Sequence, residues 1–312
     1  MAVDVQALFE RRMSYPHPGA RERLARLVGI DKQKETLTKI LGLLVHPWGL
    51  KMWGEEHHPG AGLLIDTVLH RPPLVILAGD VGSGKTELAE TIGDAVAMQE
   101  EIEIDLLPLS LSARGAGKVG EMTQLISAAF DHTIKEAALM RGNEGGNEGA
   151  VILLVDEADA LAQSRETKEM SHEDVSGVNA FIRGIDRLAN QRLPAAVVMC
   201  TNRYEQLDPA VRRRAAEILV FGRPDDEMRR MALAPKLEEL GFDAADIEAI
   251  VQATGPRAEG QPGFTYSDLM QRLIPGIVLD AYPERPIKPD RAIAIAREMR
   301  PTPKFRDVAN EA

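Results

Sequence analysis

The chain has 312 residues, 44% of them hydrophobic and 27% charged, a balance that buries a real core and excludes wholesale disorder. Only 4% are aromatic, which suits helices and buried parallel strands better than an aromatic-rich sandwich, and the net charge of −11 counts against nucleic acid as the main partner. The lone cysteine, Cys200, excludes an intrachain disulfide and a cysteine-based zinc site and fits a reducing cytoplasm. The N-terminal residues have no apolar core of signal-peptide length, and no run reaches the ~18 apolar residues of a membrane helix. A cytoplasmic protein without a membrane partner is therefore expected.

Residues 1–25 are charged, broken by Pro16 and Pro18, and read as an arm. Leu37, Ile40, Leu41 and Leu44 then recur at helical spacing behind Asp31, which is placed to cap. Residues 47–73, rich in Pro, Gly and His, read mostly as loop with a short helix at 63–69. From there strands and helices alternate. Apolar runs at 74–79, 103–111, 150–159, 195–202 and 216–222 predict five strands, with helical periodicity between them at 86–97, around Met122 to Ala129, and at 173–189. Strands that are apolar throughout, alternating with helices, imply a parallel sheet covered on both faces. Beyond Pro224 only helices are expected, near 225–240, 243–253, 265–281 and 287–299. The expected organisation is an arm (1–25), a large α/β domain (26–223) and a small all-helical domain (224–312).

Residues 79–86 spell GDVGSGKT, a complete G-x-x-x-x-G-K-[ST] between an apolar strand and an amphipathic helix. In such a loop Gly79, Asp80, Val81, Gly82, Ser83 and Gly84 turn backbone N–H groups toward an anion. Lys85 reaches the β- and γ-phosphates, Thr86 holds Mg²⁺ through its hydroxyl, and the following helix aims its N-terminus at the phosphates. At the end of the most apolar strand, Asp156 and Glu157 set two carboxylates where open α/β sheets bind ligands. Asp156 is the candidate Mg²⁺ ligand and Glu157 the candidate base for the attacking water. Asp159 reads as a helix cap.

These motifs, with the tract TNRYEQLDPAVRRR (201–214), resemble the AAA+ ATPases. The resemblance implies a P-loop core of five parallel strands with a small helical lid, ATP and Mg²⁺ as ligands, and Asn202 helping to position the water. It also implies an arginine finger from Arg212–Arg214, with Arg213 and Arg214 favoured and Arg212 read as solvated, acting in trans within a homo-hexameric ring. Arg272 is either a further contact to nucleotide or a solvated helix residue. The segments SARGAGKVGEM (112–122), EDVSGVNAFIRGIDRL (173–188) and LMQRLIPGIVLDA (269–281) are similar to the pachytene-checkpoint ATPases, which remodel HORMA-domain proteins. Bacterial relatives of that kind accompany HORMA proteins and cyclic-nucleotide synthases in antiphage (CBASS) operons. The implied function is a ring ATPase that disassembles a HORMA complex, with a HORMA protein, alone or bound to such a synthase, as its partner.

Two departures stand out. Too few residues precede the phosphate loop for a separate adaptor-binding domain. The pore-loop region 114–120 has no aromatic, and Lys118 and Val119 fill the gripping slot, either as the grip or as part of a glycine-rich flexible loop. The charged stretch 164–174 is a second pore loop or a solvated surface loop. A nucleic-acid motor and an activase of metabolic enzymes are the competing readings.

Overall fold

A computed structural model describes residues 8–9, 11–109, 121–142, 146–159, 172–203, 205–257 and 260–304. The chain folds into two compact units. One takes in Met1–Ala25, Lys32–Ala78 and Thr86–Val220; the other takes in Arg26–Asp31, Gly79–Lys85 and Phe221–Ala312. The loop Gly79–Lys85 thus groups with the C-terminal helices.

The first unit is built on a six-stranded sheet: β1 (Met13–Tyr15), β2 (Leu74–Gly79), β3 (Glu103–Leu109), β4 (Gly149–Val155), β5 (Ala195–Thr201) and β6 (Ala215–Phe221). Their order is β1-β3-β4-β5-β2-β6. The β3–β4, β4–β5 and β5–β2 pairs are parallel, whereas β1 is antiparallel to β3, with Ser14 opposite Asp105. The expectation of five strands, all parallel, is therefore corrected to six with an antiparallel edge. The extra strand comes from the segment read as an arm. Three residues are too short for a period-2 signal, and the strand is held by side chains instead: Ser14 Oγ and the Arg12 guanidinium both bond the Asp105 carboxylate.

Helix α1 (Pro18–Ala25) follows β1. The next helices are α2 (Asp31–Val45), α3 (Pro47–His57), α4 (Gly62–Leu69) and α5 (Lys85–Glu100), the last following β2. Charge ties α1 to α5: Arg21 meets Asp94 at 2.9 Å, and Arg23 bonds Glu87 at 2.7 Å and Glu90 at 2.6 Å. Between β3 and β5 lie α6 (Glu121–Leu139) and α7 (His172–Gln191). Every residue of β4 and β5 is buried. Phe130 of α6 and Phe181 of α7 meet edge to face, centroids 5.7 Å apart, in the core against the strands. Burial of every residue along β4 and β5 is why these strands show no polar alternation. No described helix is long and apolar enough to cross a membrane.

A short α8 (Pro209–Arg212) precedes β6. The second unit carries α9 (Asp226–Glu238), α10 (Ala244–Ala253), a π-helical turn (Asp268–Leu273) running into α11 (Ile274–Ala281), and α12 (Pro289–Glu298). Leu233, Phe264, Leu269, Leu273 and Ile277 belong to its own apolar core. Arg229 is buried there, 1% exposed, with Nη1 donating to Pro224 O (2.6 Å) and Nε to Val251 O (3.3 Å). Removing it strands two carbonyls, so Arg229→Met should destabilise by about 2–4 kcal/mol. Arg230→Met breaks only an exposed pair with Glu248 and should change little. Urea midpoints that fall equally for the two variants would contradict this ordering.

Candidate nucleotide site

The loop that follows β2 owes its path to glycine. Gly79 has φ +150° and Gly82 φ +71°, regions that L side chains rarely adopt. A Cβ on Gly79 would lie 2.0 Å from Phe221 O, and one on Gly82 would lie 2.8 Å from both Thr265 Oγ1 and Ser267 Cβ. Asp80 N–H donates to Phe221 O at 3.3 Å. Lys85, at the start of α5, is 6% exposed and turns its ammonium back into the loop, donating to Gly79 O (3.0 Å) and Asp80 O (2.8 Å). Ser83, also buried, donates to Asp80 O at 2.7 Å. Val81 is exposed, Gly84 has φ +92°, and Thr86 is exposed in the first turn of α5. The predicted loop residues are thus one structural element, with a cation held among carbonyls that a phosphate can replace as its partner.

Exchanging those neutral acceptors for phosphate oxygens strengthens the Lys85 bonds, because both partners are then charged. Lys85→Ala should weaken ATP binding by on the order of 10²-fold, the worth of one or two charge-assisted bonds. Calorimetric titration with ATP checks this, and an unchanged affinity would remove Lys85 from the site.

In the first unit, the ends of β4 and β5 carry the other predicted residues. Val155 pairs with Met199, so the residues just past each strand emerge on the same edge of the sheet, and the parallel pairing of Ala78 with Thr201 puts the end of β2 there too. Asp156 is half-buried and accepts from Glu157 N–H at 2.9 Å. Glu157 is exposed and has φ +49°, a left-handed conformation that costs energy in a residue other than glycine and marks functional turns. The turn is pinned immediately afterwards, where Ala158 N–H donates to Cys200 O at 3.0 Å.

Asp159, expected as a helix cap, joins the two strand ends. Its Oδ1 accepts from Thr201 Oγ1 and from Asn202 N, each at 2.8 Å, and Asn202 Nδ2 lies 3.4 Å from Oδ2. The acid turn and Asn202 are therefore one hydrogen-bonded unit. The spacing of Asp159, three residues past Asp156, was the only signal for this, and it named no partner.

The arginine run divides. Asp208 caps α8 through Ala210 N–H (2.7 Å), and the chain leaves the helix at Arg213. Arg214 makes a two-point bond to Asp186, at 2.7 and 3.0 Å, and donates to Ala210 O at 3.0 Å. The Asp186 hydrogen bond, opposed by burial, raises the Arg214 pKa above its ordinary value. Arg212 and Arg213 are exposed, and the Arg213 guanidinium has no hydrogen bond or ion pair among the described residues. Arg272 pairs with Asp268 at 2.5 Å within the second unit. Lys118, Val119 and most of 164–174 lie outside the described residues.

Among the described residues no cluster of three His, Cys, Asp or Glu could hold a metal unaided. Mg²⁺ keeps waters and takes most of its oxygens from substrate phosphates, so the oxygens of Thr86 and Asp156 are chemically suited to it and would be enough from the protein.

Comparison with known proteins agrees with this class. The family model for ATPases associated with various cellular activities (AAA) matches residues 75–223. CD-NTase-associated protein 6 of Escherichia coli (strain MS 115-1) is 61% identical over 96% of this chain and 96% of its own, and its counterpart from strain KTE188 is 34% identical over 97% and 99%. The chain belongs to the AAA ATPases, in the CD-NTase-associated protein 6 family. A chain of the solved E. coli MS115-1 HORMA:CdnC:Trip13 complex superposes with TM-score 0.91 at 59% identity, covering 98% of this chain and 100% of that one. Rhizobiales Trip13 follows at 0.74 and 56%, covering 95% and 99%. C. elegans PCH-2, at 17% identity and TM-score 0.61 over 92% of this chain and 72% of that one, shares the fold.

Proposed function

We propose that the chain is the ATP-hydrolysing subunit of a cytoplasmic homo-hexameric ring that remodels a HORMA-domain protein, alone or bound to a cyclic-nucleotide synthase, and so regulates antiphage signalling. The observation that carries this is the near full-length match, at 59% identity, to a chain of a HORMA:CdnC:Trip13 complex, in a sequence that keeps a complete phosphate loop. The loop 79–86 would hold the triphosphate, and Thr86 and Asp156 would hold Mg²⁺, which would supply positive charge against that of the phosphates. Glu157 accepts the proton of the attacking water, Asn202 orients that water, and Arg213 reaches the site of the neighbouring subunit. Residues 26–223 act as the ATPase domain and 224–312 as its lid, with Lys118 and Val119 gripping the partner.

The Glu157→Gln variant, loaded with ATP, is the trap. Mixed with a HORMA-domain protein, it should retain that protein through gel filtration, and the wild-type ATPase should be stimulated by the HORMA protein and not by DNA. Stimulation by DNA alone, or no HORMA protein retained by a ring that holds ATP, would overturn the partner and leave the ATPase assignment standing.

A further inference from the structure

Asp80 places a carboxylate inside a loop that otherwise presents glycines, a hydroxyl and a lysine to a polyanion. Its Oδ1 accepts from Val81 N–H at 3.1 Å, and its Oδ2 from Arg223 Nε at 2.6 Å. The Arg223 side chain is only 10% exposed. Its Nη1 donates to Gly263 O and to Thr302 O, both at 2.7 Å, and its Nη2 is buried with no hydrogen-bond partner among the described residues.

The two segments reached by Nη1 are themselves joined. Asp268, fully buried, accepts from Thr302 N (3.0 Å), Thr302 Oγ1 (2.7 Å) and Thr265 N (3.0 Å). Burial opposes ionisation of Asp268, yet these bonds and Arg272 hold its pKa below the usual carboxylate value. Residues 265 and 267 then return to the loop, where Ser267 N–H donates to Gly82 O at 3.1 Å. Every residue in this circuit lies within the second unit.

We propose that Arg223 is a positioning residue for nucleotide: it neutralises Asp80 beside the bound triphosphate and fastens the phosphate loop to residues 263–268 and 302, so that occupancy of the loop is passed to the C-terminal helices. This rests on the reading of residues 79–86 as the nucleotide loop. Electrostatics motivates the first half. An unpaired carboxylate in a partly dry site repels the several negative charges of ATP, and losing one member of a buried pair costs more than never having had the pair. Geometry motivates the second half, because the planar guanidinium bonds a loop carboxylate and two distant carbonyls at once, which a point-like ammonium cannot do.

Calorimetric titration with ATP and Mg²⁺ tests this on the full chain, alongside hydrogen exchange of residues 263–268 with and without nucleotide. Arg223→Ala should weaken ATP binding at least about ten-fold. Asp80→Ala/Arg223→Ala should regain most of the affinity that Arg223→Ala loses, a rescue that loss of structural support alone does not produce. In both variants lacking the arginine, ATP should no longer slow exchange at 263–268. Arg223→Lys keeps the charge, so it should retain affinity within a few-fold and lose the nucleotide-dependent protection. Wild-type affinity in Arg223→Ala, or a double variant binding no better than Arg223→Ala, would overturn the proposal. Failure of the wild type itself to bind ATP would instead sink the nucleotide-loop reading.

Discussion

Arg213→Ala is expected to slow ATP hydrolysis by on the order of 10³–10⁵-fold, the range in which an arginine finger acts, while leaving ATP binding nearly intact. The geometry separates Arg213 from its neighbour. Arg214 is spent within its own subunit on Asp186 and Ala210 O, so it cannot reach another site without giving up a two-point bond. Arg213 is exposed where α8 ends, its short helix fixed by the Asp208 cap, and it has no competing carboxylate among the described residues. Arg214→Ala should therefore slow hydrolysis far less, by about ten-fold, through loosening of the segment that presents Arg213. Mixing Arg213→Ala with Lys85→Ala subunits provides the decisive assay. Each alone should be nearly inactive, whereas mixed rings contain some interfaces in which an intact finger faces an intact loop. If the mixture stays dead although mixed rings form, the finger does not act across the interface. If Arg214→Ala proves the more damaging variant, the two roles must be exchanged.

The sheet was largely legible because its strands are buried on both faces. Apolar runs expected at 74–79 and 195–202 became Leu74–Gly79 and Ala195–Thr201, and a strand expected at 150–159 ends at Val155, where Asp156 opens the acid turn. Periodicity likewise located the C-terminal helices to within a few residues, although it could not foresee the π-turn at Asp268–Leu273. It failed at the N-terminus. Helix α3 hides behind Pro47, Gly49 and Gly54, residues that usually mark loops, yet Pro47 sits in the first turn, where a missing N–H costs nothing. Helix α1 has almost no apolar face and is held by Arg21 and Arg23 against carboxylates on α5, distant in sequence. Among the candidate site residues, Lys85 and Thr86 were legible from the spacing of the loop motif, and Asp156 and Glu157 from their place at the end of an apolar strand. The bonds of Asp159 to Asn202 and of Arg223 to Asp80 span 43 and 143 positions, and no local pattern encodes a partner so far away.

Glu157→Gln should bind ATP and hydrolyse it about 10²–10⁴-fold more slowly, the usual worth of a positioned general base. The substitution is a clean probe because it keeps shape and backbone preference. Glutamine meets the same left-handed φ of +49° at the same cost as glutamate, so the turn, its Asp156 bond and the Ala158–Cys200 bond should persist. The amide has no basic oxygen with which to take the proton, and that loss alone should appear in the rate. Asp159→Asn provides the contrast, since the side chain remains near Thr201 and Asn202 but the charged acceptor that holds both donors is gone. It should slow turnover by only about ten-fold, as expected for a misplaced water-orienting group with the base intact. Single-turnover hydrolysis at saturating ATP, measured with affinity on the same samples, separates the two effects. Wild-type turnover in a Glu157→Gln protein that demonstrably holds ATP would remove Glu157 as the base. A loss in Asp159→Asn as large as that in Glu157→Gln would make the strand-to-strand tie, and not the base, the principal determinant of the rate.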